Sequence, residues 1–458
     1  MERISRQAVT YRHIGWGLLL LFAVAAGLAS VFVDPLFIMV AVAGLVNLAL
    51  ILKYPMWGLL IYLALFLLRP GEVYPSIAPL RLELLVGVFA VISVVVRQKL
   101  REGKVTFPSD KITLSMVAIL AVMALSLFTS YEMTQTKDHC VRFLKLLVFA
   151  YLIISIVDSR KRFMTFVSAF VILITYIALD AFRLYLSGEF IHTMNVDRLS
   201  GRTSISEDPN AFGATLVSSI PICVAAALYY RHALAKVGMA VLSLFMTYLM
   251  MITASRSGLL AFFGVLFGGL AFSRQKLLNY SAAVLLLVAA WFALPEQYQA
   301  RYARFTELGE DINDVSSGRW EIWQAGLRMV PEHPILGVGA GAFAWANASG
   351  RFGRAQWMQS HNLYIEVLAT TGILGFAAWF YFVFAVVKRL RRLTREELPE
   401  SMQWIPLFSK AFLIVIFALL ISGMFGHNLY RYTWYMVAAL TVALAALASG
   451  ATARQVEA

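Results

Sequence analysis

Three residues stand where chemistry could be done: Arg256, Arg319 and His361. Arg256 lies between two apolar runs in Thr253-Ala254-Ser255-Arg256-Ser257-Gly258. So short a connection holds its guanidinium at the edge of an apolar bundle, where a charge is costly and usually functional. A guanidinium there can grip a diphosphate with its planar fork, which lysine copies poorly. Arg319 opens an amphipathic segment, and Ser317 and Gly318 before it can cap a helix whose free N–H groups face an anion. His361 opens a further apolar run, with Ser360 as the expected helix cap. An imidazole titrating near neutrality can take a proton from a hydroxyl nucleophile. His333 and His427 offer the same chemistry, and spacing does not separate the three.

Other charges could support such a site. Lys137, Arg142, Lys145, Arg198, Arg202 and Arg431 fall on the same side of the expected bundle as Arg256 and Arg319. Arg142, Lys145 and Arg202 are the supporting cations expected here, whereas Lys137, Arg198 and Arg431 read first as interfacial side chains reaching lipid headgroups. Asn362 adjoins His361, and Glu366 lies about a turn and a half further in, where it needs a partner such as one of the outer arginines. Asp180 and Arg183, three apart within an apolar run, can pair with each other. No Asp-X-Asp, His-Glu-X-X-His, P-loop or Gly-X-Ser-X-Gly pattern occurs, so no metal or cofactor is expected and electrostatic stabilisation has to come from arginine. Cys140 and Cys223 sit on different apolar segments and form no disulfide or metal pattern.

The elements that must position these residues are membrane spans. Of 458 residues 60% are hydrophobic and only 14% charged, with a mean hydropathy of +0.73, which excludes an ordinary soluble domain. Apolar runs of helical length recur, so the expected fold class is all-α, a polytopic transmembrane helical bundle. Runs at 16–33, 35–52, 56–68, 82–96, 112–130, 141–157, 163–186, 211–230, 237–254, 257–272, 278–294, 362–387, 407–425 and 432–448 give about fourteen spans, and twelve is an acceptable count. The first follows Arg3, Arg6 and Arg12 and reads as an uncleaved signal anchor.

The net charge of +13 reports topology before it reports any partner, so nucleic acid is not implied. Lys and Arg gather in alternate connections, among them 97–104, 160–162 and 388–392, which places these and both termini in the cytoplasm. The opposite face then holds the loop at 188–210, the Ser255 turn and the long connection 295–360. The chain thus divides into a first bundle portion at 1–294, the loop 295–360 and a last portion at 361–458. Trp320, Trp323, Leu327 and Val330 recur at helical spacing up to Pro331, suggesting a helix along the membrane surface. Gly337, Gly339 and Gly341 lack the βαβ context of a nucleotide site and read as turn residues.

With these residues in view, the chain resembles the O-antigen ligase and polymerase superfamily of bacterial envelope enzymes. The resemblance rests on Ser255-Arg256-Ser257-Gly258, Ser317-Gly318-Arg319-Trp320 with Trp323, Pro334 to Gly339, Ser360-His361-Asn362 followed by Gly372 and Gly375, and Pro209-Asn210. It covers roughly the second half; the first half, with Leu68-Arg69-Pro70-Gly71, looks like the branch found beside exosortase systems. The resemblance implies a GT-C-type glycosyltransferase of the bacterial inner membrane with its active site facing the periplasm. Its donor would be a glycan on undecaprenyl diphosphate, used without nucleotide or metal, and its partners otherwise membrane lipids. Arg256 and Arg319 would hold the diphosphate and His361 would be the base. The acceptor expected first is the lipid A core oligosaccharide; a polymerase extending the glycan, or a protein O-oligosaccharyltransferase, would share the donor chemistry. A lipid-linked glycan transporter or flippase is a rival of another class, but it should show inverted repeats, and no such symmetry is visible.

Overall fold

The computed structural model describes residues 35–193, 195–272, 294–303, 319–426 and 429–456, with isolated positions between 281 and 292. The expected span at 16–33, most of that at 278–294, and Ser317, Gly318 and His427 lie outside the described residues.

Hydrocarbon offers the backbone no hydrogen-bond partner, so apolar runs of this length close their bonds within helices. The helices are α1 Pro35–Lys53, α2 Pro55–Leu68, α3 Leu82–Glu102, α4 Lys111–Leu125, α5 Met133–Ile156 and α6 Arg160–Leu186. They continue as α7 Pro209–Tyr229, α8 Ala233–Ile252, α9 Arg256–Ala271, α10 Glu296–Ala303, α11 Arg319–Glu332, α12 Phe343–Ala348, α13 Leu363–Leu393, α14 Trp404–Gly423 and α15 Tyr432–Val456. Among the described residues ten helical segments are long and apolar enough to cross a membrane, with shorter apolar helices at Val42–Lys53 and Arg256–Ala271. The protein is a polytopic all-α membrane protein. Its β-structure, among the described residues, is a ribbon of β1 Ile191–Thr193 and β2 Val196–Arg198, antiparallel with Ile191 opposite Arg198.

Helix α7 is the pillar of the bundle, packed against α8, α9 and α14 and buried over most of its length. Its Thr215 and Ser219 hydroxyls, also buried, donate to carbonyls one turn back in the same helix. Helix α13 packs on α4, and α15 on α5. Asp180 and Arg183 pair at 2.9 Å, as their spacing suggested.

Helix α13 is interrupted at Gly372, whose φ of 65° and ψ of −167° break the ladder. Only glycine suits the position: a Cβ there would stand 2.3 Å from the Ile335 carbonyl carbon. The backbone groups freed by the break are taken up by the segment 334–339. Ile373 N–H donates to the Pro334 carbonyl at 2.8 Å, while Val338 N–H donates to Ala369 and Gly339 N–H to Thr370 at 2.9 and 3.0 Å. Non-helical backbone survives at such a place only when protein covers it. The glycine run is thus a turn, as its context indicated, but it does not lie on the surface; residues 337–344 are buried.

Helix α11 carries the recurrence read from Trp320 to Val330. Its buried face is Ile322, Ala325, Gly326 and Met329, packed with Val338, Phe343 and Ala369, whereas Trp320 and Leu327 are exposed. The helical period was correct; of the large side chains that marked it Trp320 and Leu327 lie outward, while Trp323 is half-buried.

Candidate active site

The turn between α8 and α9 is the most constrained part of the site. Ala254 is held at φ 50°, a left-handed conformation that a side-chain-bearing residue adopts only when its surroundings over-determine it. Those surroundings are specific: Arg198 Nε donates to the Thr253 carbonyl at 2.9 Å, Arg301 Nε to Ala254 at 2.8 Å, and Leu199 N–H to Ile252 at 3.0 Å. Ser255 then caps α9, its Oγ accepting from Gly258 N–H at 3.0 Å. Arg256 is left at the first position of the helix, half-buried.

Arg319 starts α11 and is half-buried, with Nη1 at 3.4 Å from the Phe425 carbonyl. Burial lowers its pKa, the charge of Arg256 adds to this, and Asp208 opposes it. His361 sits at φ 47° between a buried Ser360 and the cap of α13. Burial holds its imidazole below the usual range, Arg319 lowers it further, and Asp208 again opposes. Arg319 thus feels the charge of Arg256, and His361 that of Arg319, linking three separate segments. His333 packs edge-on against Tyr131, centroids 5.6 Å apart, and near Phe352.

Ser360 is not the cap it was expected to be. Asn362 caps α13, its Oδ1 accepting from Tyr364 and Ile365 N–H at 3.0 and 3.2 Å. The Ser360 hydroxyl instead donates to Glu366 Oε2 at 2.7 Å, and its carbonyl accepts from Trp323 Nε1 at 2.8 Å. Glu366, expected to meet an outer arginine, is thus held by a serine, because the strained bend at His361 folds Ser360 back over the first turn of α13.

Two arginines expected at lipid headgroups are also structural. Arg198 is buried and donates Nη2 to Asn210 Oδ1 at 2.9 Å besides its bond to Thr253. Arg431 donates Nη1 to the Ala211 carbonyl and the Thr215 hydroxyl, both at 2.9 Å. Both thereby grip the first turns of α7, whose cap is Asp208, accepting from Ala211 N–H at 2.7 Å. Asp208 was not foreseen. Its carboxylate is exposed, and its charge reaches Arg198, Arg319, His361 and Arg431. The only signal in the sequence was an acid before Pro209, which reads as a helix cap and nothing more.

Beside this cluster lies a cavity of about 630 Å³ whose walls include Arg142, Lys145, Glu366, Gln359, Arg431 and His139. His139, a second unforeseen residue, packs edge-on against Tyr430 with centroids 4.8 Å apart. Gln359 and Glu366 bracket His361 in sequence, but Arg256, Arg319 and His361 are themselves not among the lining residues. Arg142, Lys145 and Glu366 are brought together there. Arg202 is not among the lining residues; it faces Glu189 at 3.8 Å in the outer loop. Arg69, Glu72, Glu83 and Lys145 are common to the cavity and to a more apolar groove of about 940 Å³ between α3 and α5. Among the described residues no three His, Cys, Asp or Glu side chains converge as a metal site would need.

Residues 239–380 match the family model described as O-antigen ligase, the family that the motifs resemble. The matched segment contains Arg256, Arg319 and His361 and supports glycan transfer of the ligase or polymerase type. No curated protein matches the chain.

Proposed function

We propose that the protein is an O-antigen ligase, transferring a glycan from undecaprenyl diphosphate to a hydroxyl of the lipid A core oligosaccharide at the periplasmic face. The observation that carries this reading is the electrostatic grouping of Arg256, Arg319 and His361, drawn from segments otherwise far apart in the chain. In the reaction the acceptor hydroxyl attacks the anomeric carbon from the face opposite the diphosphate. A new glycosidic C–O bond forms as the C–O bond to the phosphate breaks, the leaving diphosphate keeps the electron pair, and inversion follows. Arg256 and Arg319 neutralise the charge that develops on the diphosphate, and donors fixed in place before reaction are what such stabilisation requires. His361 receives the hydroxyl proton; its lowered pKa keeps it in the basic form at neutral pH. The apolar groove between α3 and α5, with exposed Leu84, Val88 and Val141, gives a lipid chain a route from the bilayer to the polar cavity.

The test is reconstitution of the purified full-length chain with carrier-linked glycan, offering lipid A core, a protein acceptor and a second carrier-linked glycan separately. Glycan joined to lipid A core is the expected product. Transfer only to another acceptor would replace the ligase reading by the polymerase or protein-glycosylation one, and absence of any new glycosidic bond would remove the enzyme reading in favour of transport.

A further inference from the structure

At the far end of α6 from the cluster a groove of about 640 Å³ runs between α6 and α7. Its lining on α6 follows one helical stripe, from Arg160 and Lys161 through Met164, Thr165 and Ser168 to Ile172. The stripe is cationic at its end and becomes apolar inward. At the helical rise, the twelve steps from Arg160 to Ile172 span roughly 18 Å, enough to run from the membrane surface past the middle of a hydrocarbon core about 30 Å thick. Ile172, two-thirds exposed at 67%, marks the inner end of that path. Arg160 is exposed, but it is docked on Tyr229. Its Nε donates to the Tyr229 hydroxyl at 2.9 Å, and its guanidinium lies over the Tyr229 ring at 5.1 Å. Tyr230 meets Ser168 at 3.0 Å across the same seam.

We propose that this groove is a binding site for an anionic phospholipid of the inner leaflet, with the phosphate between Arg160 and Lys161 and one acyl chain lying along Met164, Ala169 and Ile172. A cation preset on an aromatic ring loses little freedom on meeting a phosphate, and cationic residues beside a membrane draw anionic lipids. The positive-inside rule accounts for the presence of these charges but not for an amphipathic groove running inward from them. A free anion would need the cationic end alone, whereas a phospholipid uses the whole length.

The experiment uses the full chain in detergent. Native mass spectrometry reads retention of phosphatidylglycerol against phosphatidylcholine, and thermal unfolding is followed with phosphatidylglycerol or with inorganic phosphate. Phosphatidylglycerol should be retained preferentially and should stabilise, and Arg160→Gln with Lys161→Gln should cut the preference on the order of tenfold or more. Ala169→Phe, which fills the groove and leaves both charges, should lower retention of the lipid while the protein remains folded. Unchanged preference in the double variant would overturn the proposal, as would unchanged retention in Ala169→Phe. Stabilisation by inorganic phosphate equal to that by the lipid would overturn it too, leaving a free-anion site.

Discussion

The outer ends of the first and second halves of the chain treat positive charge differently. In the first half two of the cations that line the cavity have carboxylates of their own: Arg69 meets Glu72 at 2.8 Å and Lys145 meets Glu83 at 2.9 Å, and Ser204 ties Glu72 in place by two further bonds. Around α7 and the α8–α9 turn, Arg198, Arg319 and Arg431, together with His361, feel one carboxylate, that of Asp208. Paired ions hold elements together and leave little field, whereas an excess of arginine over acid leaves a positive potential that costs stability and suits a phosphate. The backbone does not divide in the same way: Arg69 and Arg81 in the first half are left-handed at φ 45° and 44°, as Ala254 and His361 are in the second, and such strain persists where surrounding structure holds it.

The contrast breaks first if the arginines are dispensable. Arg256→Ala and Arg319→Ala should each lower transfer by roughly a thousandfold with expression and folding intact, since each removes a charge aimed at the leaving group. Arg→Lys at either position should also be poor, because a single ammonium cannot bridge two phosphate oxygens as the planar fork does. Near-normal turnover by both lysine variants would show that bulk charge suffices.

His361→Ala should follow, costing about a hundredfold in single-turnover rate with donor affinity largely kept. Loss of affinity with an unchanged rate from the saturated complex would make the histidine a binding group. The wild-type rate should rise with pH and level off, because the basic imidazole is the active form. As burial and Arg319 lower its pKa, that rise should be centred below the ordinary histidine range, and activity should persist into mildly acidic buffer.

Asp208→Asn sharpens the comparison by removing the shared carboxylate while keeping a residue that can cap α7. Asp208 raises the His361 pKa, so its loss should move the pH–rate rise to more acidic values. An unmoved profile would separate Asp208 from the cluster. The smallest effect belongs to the paired region: Lys145→Ala should change turnover less than about threefold, the scale of a half-exposed ion pair. A loss rivalling that of Arg319→Ala would extend the anion site into the cavity.

What the sequence by itself determined was what local physics determines. Runs of apolar residues had to become helices, and the short Thr253–Gly258 connection had to put Arg256 at a helix start. Arg319 and His361 were likewise placed at the starts of helical segments by the patterns around them, though the cap of α13 proved to be Asn362 and not Ser360. Tertiary structure alone decided which of these ends meet. Asp208 looked like a helix cap because its neighbours in sequence require only a cap; that it also faces several cations follows from α7 being gripped by Arg198 and Arg431. Glu366 found Ser360 because the bend at His361 turns the chain back, and the exposed side of α11 was set by the re-entrant segment that fills its other face. A helical period reports that one face will be buried, but which face, and which charges share a wall, depends on segments tens to hundreds of residues away in the chain.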